Sequence, residues 1–225
     1  MKISGSGKLS EGKIDENLQS SGSVRLQGDF ECMGLRSSGS LRGAGNLTVH
    51  GDVKSSGSFR LAKHLRGDGN GRFSGSTTVG GAILIEGVLV NSGSLSVGLK
   101  VEAQGGIRFS GSSRIQRGVF SQNNIIIDGT TTINGDVQGY DVFIGHERRF
   151  TRKLFKQPYK ISGSILAKDN AELIGTYVGG DVRGMNVIIG IGTEVSGTVY
   201  YVNNIEIHNK AKVSHGPIQI AANDL

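Results

Sequence analysis

Residues 21–58 read SGSVRLQGDFECMGLRSSGSLRGAGNLTVHGDVKSSGS, and this stretch contains the tripeptide Ser-Gly-Ser three times. Along the chain the tripeptide recurs with a nearly constant step, at 4–6, 21–23, 38–40, 56–58, 74–76, 92–94 and 110–112. A weaker copy, Asp-Gly-Thr, stands at 128–130, the exact tripeptide returns at 162–164, and Ser-Gly-Thr stands at 196–198. Each of the last two steps is twice the period. Because self-similarity at a fixed short period, here about 17 or 18 residues, indicates a repeat architecture, the sequence predicts a solenoid with one coil per repeat.

Within each repeat the apolar residues alternate with polar ones. Val24 and Leu26 follow one Ser-Gly-Ser marker, and Leu95 and Val97 hold the same places after another. Alternation places such side chains on one face of a strand. Helical repeats need about 33–47 residues, so the period of this chain is too short for a helix pair. The pattern therefore predicts strands.

A second column of glycines, with the same spacing, indicates another corner in each coil. It consists of Gly34, Gly51, Gly69, Gly87 and Gly105, with Asn123 in the next place. Since Gly and Asn both tolerate the left-handed backbone region, we expect that conformation at this corner.

Two fixed corners and three short strands fit a triangular coil of about 18 residues. We therefore predict an all-β protein, a single-stranded parallel β-helix or triangular β-solenoid, with about 11 coils of about 17–18 residues. Residues 1–220 form a single domain in this prediction, and 221–225 form a short tail. The residues alone leave the hand of the coil open.

The chain carries no recognisable targeting segment. Met1-Lys2-Ile3 leads directly into the first marker, and the longest apolar runs, such as 125–127, are the length of a strand. We therefore expect a cytoplasmic protein. The single cysteine excludes an intramolecular disulfide, and Cys32 falls on an inward position, which predicts a buried, unreactive thiol.

The net charge of +6 is concentrated in one segment. Residues 146–160 read HERRFTRKLFKQPYK, where six lysines and arginines against one glutamate give +5 and leave +1 for the rest of the chain. The same segment interrupts the repeat, because the similar stretches 134–145 and 179–190 are offset by 45, where two coils need 34. The surplus of 11 predicts a basic loop that leaves the solenoid.

The predicted loop is a candidate contact for an anionic partner. Its candidate residues are Arg148, Arg149, Phe150, Arg152, Lys153, Phe155 and Lys156. Basic residues attract anionic lipids and aromatic residues insert at the headgroup level, so a membrane surface is favoured. Nucleic acid is disfavoured because no nucleic-acid-binding fold accompanies the charges. In the other interpretation, the aromatic residues fold back onto the solenoid and the charges are solvated.

A smaller group of cations recurs outside that segment. Arg25, Arg42 and Arg60 occupy the same outward place in three successive coils. Stacked arginines repel one another unless something anionic lies between them. The column is either a solvated face or a weak contact for a partner.

A search for catalytic motifs indicates no enzyme. None of the five histidines has a Cys, His or carboxylate at a metal-ligand spacing, and neither a nucleophile elbow nor a phosphate-binding loop occurs. We therefore predict no catalytic, cofactor or metal site. A less favoured alternative is a hexapeptide-repeat acyltransferase, since 18 is three sixes and 189–195 resembles a hexapeptide pair. The period of six is broken, however, at Lys63 and Arg117.

The ends of a solenoid expose core residues and unpaired strand edges, so natural solenoids need polar caps. Neither end of this sequence carries a capping helix. The first coil presents Ile3, Leu9 and Ile14, and the last presents Ile205, Ile207, Val213, Ile218 and Ile220. These residues are the predicted self-association surfaces, with small loop caps as the alternative.

Ser-Gly-Ser coils with Gly-Asp turns at 28–29, 51–52 and 135–136 resemble the bactofilins, which are polymer-forming cytoskeletal proteins. The resemblance spans about residues 4–215. It implies a right-handed β-helix that assembles end to end into nucleotide-independent filaments, often at the inner face of the cell membrane. The chain lacks the short apolar N-terminal membrane motif of many members, so residues 146–160 are the better candidate for membrane contact. It also lacks their phenylalanines near the last coils.

The leading hypothesis is therefore a filament subunit that serves cell shape, envelope or appendage organisation. Its main partner would be a second copy of itself, with an anionic membrane surface or other cytoskeletal or envelope proteins as further partners. The alternative is a non-polymerising adaptor solenoid that binds an anionic partner through residues 146–160.

Overall fold

A computed structural model describes residues 1–145 and 158–225. These residues form 32 strands in one continuous parallel sheet, followed by a single 3₁₀ turn at Ala222–Asp224. The predicted all-β solenoid is confirmed, with about 11 turns. No helix in the described part of the chain is long and apolar enough to cross a lipid bilayer.

The strands are short until the last three. The first sixteen are β1 (Lys2–Ile3), β2 (Ser6–Leu9), β3 (Gly12–Lys13), β4 (Asn17–Ser20), β5 (Ser23–Leu26), β6 (Phe30–Cys32), β7 (Gly34–Ser37), β8 (Ser40–Gly43), β9 (Leu47–Val49), β10 (Val53–Ser55), β11 (Ser58–Leu61), β12 (Leu65–Gly67), β13 (Gly71–Phe73), β14 (Ser76–Val79), β15 (Ile83–Ile85) and β16 (Val88–Asn91). The remainder are β17 (Ser94–Val97), β18 (Val101–Ala103), β19 (Gly106–Phe109), β20 (Ser112–Ile115), β21 (Val119–Ser121), β22 (Ile125–Ile127), β23 (Thr131–Ile133), β24 (Val137–Gly139), β25 (Val142–Ile144), β26 (Tyr159–Ile161), β27 (Ile165–Ala167), β28 (Asn170–Leu173), β29 (Thr176–Val178), β30 (Val182–Ile189), β31 (Glu194–Ile207) and β32 (Lys212–Gln219).

Three strands complete one coil. Every strand from β1 to β27 pairs in parallel with the strand three places further along the chain, as β1 does with β4. The solenoid therefore has three faces, which begin with β1, β2 and β3. In the last coils, strands of successive faces merge across their corners, which makes β30, β31 and β32 longer.

The core is a set of inward columns, two on each face. On the face of β2, Val24 stacks on Leu41 and Leu41 on Phe59, all of them buried. The outward residues between them are exposed, so the alternation predicted from the sequence is confirmed. Because each coil contributes few side chains, the core is narrow and runs the length of the stack.

The glycine of the Ser-Gly-Ser marker is required by the close approach of successive coils. A Cβ atom built on Gly39 would overlap the carbonyl oxygen of Gly22, and one built on Gly57 would overlap that of Gly39. The backbone φ at these positions is not positive. A steric limit of one hydrogen at this corner therefore explains why the marker recurs once per coil.

The prediction of a left-handed backbone at the second glycine column is wrong, and close approach to backbone of the preceding coil accounts for Gly51, Gly69, Gly87 and Gly105. Gly34, Gly51, Gly69, Gly87 and Gly105 all lack a positive φ, and so does Asn123. A Cβ on Gly51 would lie 2.7 Å from the carbonyl oxygen of Met33 in the preceding coil.

Side chains in the turn column that starts at Asp29 link successive coils through backbone amides. Asp29 Oδ1 accepts a hydrogen bond from the N–H of Asn46 at 2.7 Å, and Asn46 Oδ1 accepts one from His64 at 3.2 Å. His64 Nδ1 then accepts from the N–H of Ala82 at 3.0 Å. These bonds satisfy corner amides that the strand ladders leave unpaired, which gives the recurring Asp and Asn a structural role.

The register contains one long interval. Thr131 on β23 pairs with Tyr159 on β26, a sequence separation of 28, whereas Tyr159 pairs with Thr176 after a separation of 17. The difference of 11 equals the surplus counted from the sequence. The interval contains residues 146–157, which lie outside the described residues.

The steric account of the marker predicts opposite outcomes at two glycines. Gly57→Ala should lower the free energy of unfolding by about 3 kcal/mol, because backbone must move to admit the methyl group. Gly5→Ala is the matched control, since nothing lies within 4 Å of a Cβ at that position. Urea unfolding followed by circular dichroism measures both, and equal losses would contradict the steric account.

The turn ladder predicts a dependence on pH at Asp52. Its Oδ1 accepts from the backbone N–H of Asn70 at 2.9 Å, and that bond, followed by the interaction with Lys54, lowers the pKa of Asp52 below its ordinary value of 3.8. A lowered pKa stabilises the fold above the ordinary value, and this contribution is lost as pH falls through the folded pKa.

The side chain is partly exposed, so we expect Asp52→Ala to cost no more than about 1 kcal/mol at neutral pH. Asp52→Asn keeps an oxygen that accepts from Asn70 but cannot titrate. Thermal unfolding between neutral and acid pH should show a smaller loss in Asp52→Asn than in the wild type. Identical acid profiles would contradict the assignment.

Candidate functional site: the two open ends

Both ends of the solenoid present strands that are paired on one side only. At the N-terminal end β1, β2 and β3 each pair with a single strand, in the second coil. At the other end, residues 204–207 of β31 pair only with β30, and β32 pairs only with β31. Within the described chain no other strand covers these edges, so their backbone N–H and C=O groups are available for pairing.

The predicted residues of the N-terminal end continue the core. Ile3 stacks on buried Ser20 and Leu9 on buried Leu26, while the N–H of Ile14 bonds the carbonyl of Glu31 beside Cys32. All three predicted residues are only partly buried, although they pack against the core. They form the unfinished first layer of the hydrophobic columns.

At the C-terminal end three of the five predicted residues also continue core columns. Ile205 stacks on Val187, Ile207 on Ile189 and Val213 on Val195, and each of the three residues beneath is buried. Ile207 itself is 40% exposed, because no further coil covers it.

The other two predicted residues lie differently. Ile218 pairs with Tyr200, and this register places it in an outward column, 46% exposed on the side of the last coil. Ile220 follows β32 and is partly buried. Neither continues a core column in the way that Ile205, Ile207 and Val213 do.

The register also identifies end residues that the sequence prediction missed. Gly7 and Gly12 hold inward positions in the first coil, over Val24 and Phe30. Ala211 packs partly against the core in the last coil. Gly7 and Ala211 lie in one column, and so do Leu9 and Val213. Extending the inward alternation to small residues would have found them.

Cys32 lies in the core and is not an exposed nucleophile. The residue is fully buried, as predicted, and burial raises the pKa of its thiol to about 11. At neutral pH the thiol is therefore protonated and shielded, which disfavours reaction with soluble thiol reagents.

His50 has two carboxylate neighbours that lie 18 and 19 residues away in the sequence, so a search for ligands at short sequence spacing misses them. His50 Nδ1 lies 3.1 Å from Asp68 Oδ2, and its Nε2 lies 3.4 Å from Glu31 Oε2. The hydrogen bond to His50 is the main reason that the pKa of Asp68 is lowered. Both neighbours are distant in sequence because they belong to adjacent coils. Among the described residues no group of three or more His, Cys, Asp or Glu is arranged to hold a metal ion.

The predicted anionic-partner loop lies outside the described residues. Its candidate residues are Arg148, Arg149, Phe150, Arg152, Lys153, Phe155 and Lys156. Contact between this segment and a membrane surface stays a prediction.

Comparison with protein-family models found no match, and comparisons with curated proteins and with solved structures found none either. The assignment of function therefore depends on the geometry of this chain.

Proposed function

We propose that this protein is a structural subunit that assembles end to end into filaments, in the manner of the bactofilins. The observation that carries the proposal is that both ends combine unpaired strand edges with partly exposed apolar residues that continue the core. A second copy stacked on either end would pair these edges and bury these residues.

The arrangement of the columns supports such stacking. Each inward column runs from the first coil to the last, so a C-terminal coil placed on an N-terminal coil would set Ile207 against Ile3 and Val213 against Leu9. Burying a side chain of this size contributes about 1.5–3 kcal/mol. Three strand edges would gain hydrogen bonds at the same time, which helps to offset the entropic cost of association.

The finer parts of the proposal follow from the resemblance. The filament would form without nucleotide, in the cytoplasm, and would organise cell shape, envelope or appendages. This role requires neither a catalytic group nor a cofactor. Peripheral membrane contact and binding of other cytoskeletal or envelope proteins are further parts of the same proposal.

Electron microscopy and sedimentation of the purified protein without nucleotide test the proposal. We expect filaments for the wild type and for Ile188→Arg, because Ile188 is exposed on the side of the solenoid and pairs with Glu172 and Glu206 in an outward column. Ile207→Arg should abolish filaments, since a buried unpaired charge at the interface is strongly unfavourable.

The products of Ile207→Arg also report the polarity of assembly. If N-terminal ends meet each other, the variant should remain a dimer, and if opposite ends meet, it should be a monomer. Dispersed wild-type protein would refute the filament and support the adaptor alternative. Filaments of Ile207→Arg that match those of Ile188→Arg would refute the assignment of the ends.

A further inference from the structure

The charge of the solenoid is unevenly distributed. Residues 1–110 contain thirteen lysines and arginines against nine aspartates and glutamates, a formal charge of +4. Outside residues 146–160 the rest of the chain carries six against nine, or −3. The formal charge of +1 outside residues 146–160 is therefore the sum of a basic N-terminal half and an acidic remainder.

Almost all acids of that half are already engaged within the protein. Eight of the nine contact a cation or a histidine. The contacts are Glu16 with the amino terminus, Asp15 with Lys13 (3.3 Å), Asp29 with Lys63 (4.0 Å), Glu31 with His50 (3.4 Å), Asp52 with Lys54 (3.0 Å), Asp68 with Arg66 (3.2 Å), Glu86 with Arg66 (3.7 Å) and Glu102 with Lys100 (2.6 Å).

The cations left over are gathered at one corner. Within residues 1–110, seven exposed cations form no ion pair with any described residue, namely Lys2, Lys8, Arg25, Arg36, Arg42, Arg60 and Arg72. They belong to two outward columns that flank the Ser-Gly-Ser corner. The groove column consists of Lys2, Gln19, Arg36, Lys54 and Arg72, and the second column of Lys8, Arg25, Arg42 and Arg60.

An open groove of about 340 Å³ follows the groove column over five coils. At about 4.8 Å per coil, its cations span about 20 Å along the axis. Besides these side chains, the lining consists of serines. Ser21, Ser38, Ser56 and Ser74 are its exposed hydroxyls.

Three further serines lie behind the groove and are not part of its ligand-facing surface. Ser20, Ser37 and Ser55 alternate with the outward side chains of the groove column, so they point into the solenoid and are at most 4% exposed. The unpaired arginines of the groove column repel one another, and an anion with several acceptor oxygens would relieve this cost.

We infer that the groove binds inorganic polyphosphate, a linear chain in which every unit is anionic. Its charged oxygens are spaced more closely than the coils, so each cation of the column meets one in any register. The exposed hydroxyls of Ser21, Ser38, Ser56 and Ser74 donate to the same oxygens. A ligand made only of phosphate uses every type of side chain in the lining.

Other anionic partners fit the groove less well. Single-stranded nucleic acid needs surfaces on which bases stack, and the groove is lined by no aromatic residue in the part of the chain that the structure describes. A lipid surface is flat, whereas the two columns lie on different faces of a corner.

Fluorescence polarisation with an end-labelled polyphosphate that spans five coils tests the inference on the full chain. Arg36→Gln with Lys54→Gln and Arg72→Gln should weaken binding by at least about tenfold, and the slope of log affinity against log salt should shrink by about two. The matched control removes three exposed cations elsewhere, by Lys63→Gln, Lys100→Gln and Arg117→Gln. It should change affinity by less than about twofold.

A second variant keeps the charge constant. Ser38→Ala with Ser56→Ala should weaken binding by about threefold without changing the salt slope, because only exposed hydroxyl donors are lost. Circular dichroism checks that each variant is folded. Equal losses in the groove and control variants would overturn the inference, because binding would then follow net charge alone.

Three further ligands identify the occupant. A single-stranded oligonucleotide of equal charge, polyglutamate of equal charge and vesicles of phosphatidylserine should each bind more weakly than polyphosphate. A ligand that binds as tightly would overturn the choice of polyphosphate. The groove lies on the side of the solenoid, so Ile207→Arg should bind as the wild type does. Binding can therefore fail or succeed independently of filament assembly.

Discussion

The structure depends on one constraint, the parallel hydrogen-bonded ladder that holds each coil directly over the previous one. Because the ladder fixes the spacing of the coils, each residue occupies nearly the same environment as the residue one period earlier. At the Ser-Gly-Ser corner this spacing leaves room for a hydrogen only, as the overlap between a Cβ on Gly39 and the carbonyl of Gly22 indicates. The Ser-Gly-Ser repeat in the sequence follows from this spacing, because the corner requires a glycine once in each coil.

The same constraint converts sequence distance into columns of like residues. Inward columns are apolar and form the core, and the turn columns of Asp and Asn accept hydrogen bonds from the amides of the next coil. Outward columns place their side chains on the surface and not in the core. The Lys, Arg and exposed Ser side chains of the groove lining are therefore open to the ligand that we infer.

In a ladder that repeats the same pairing in every coil, the first and last strands of each face keep one unpaired edge. In a closed fold the last strand is covered, but here the first and last coils present the same backbone edges and columns that every interior coil uses for stacking. The proposed self-association at the ends and the inferred ligand binding along the side would use different surfaces. One subunit could therefore polymerise and hold a polyanion along the filament at the same time.

Much of the fold was accessible to sequence reasoning. The period, the alternation of Val24 and Leu26, the buried position of Cys32 and the interruption after Gly145 all follow from local pattern and length. The end residues Ile3, Leu9, Ile205, Ile207 and Val213 also follow from the sequence, as apolar residues of the first and last repeats. These features are readable because in a solenoid the contacts between coils repeat at a constant sequence separation.

Other properties depend on which columns become neighbours across a corner. The sequence placed Arg25, Arg42 and Arg60 in one column, but only the structure set Arg36 and Arg72 beside the same corner and engaged the acids elsewhere. At the second glycine column the structure has no positive φ, although the sequence predicted a left-handed backbone there. It also places Ile218 in an outward column. The physical reason is that charge pairing and steric contact depend on distances between coils and faces, and the order of residues along the chain does not contain these distances.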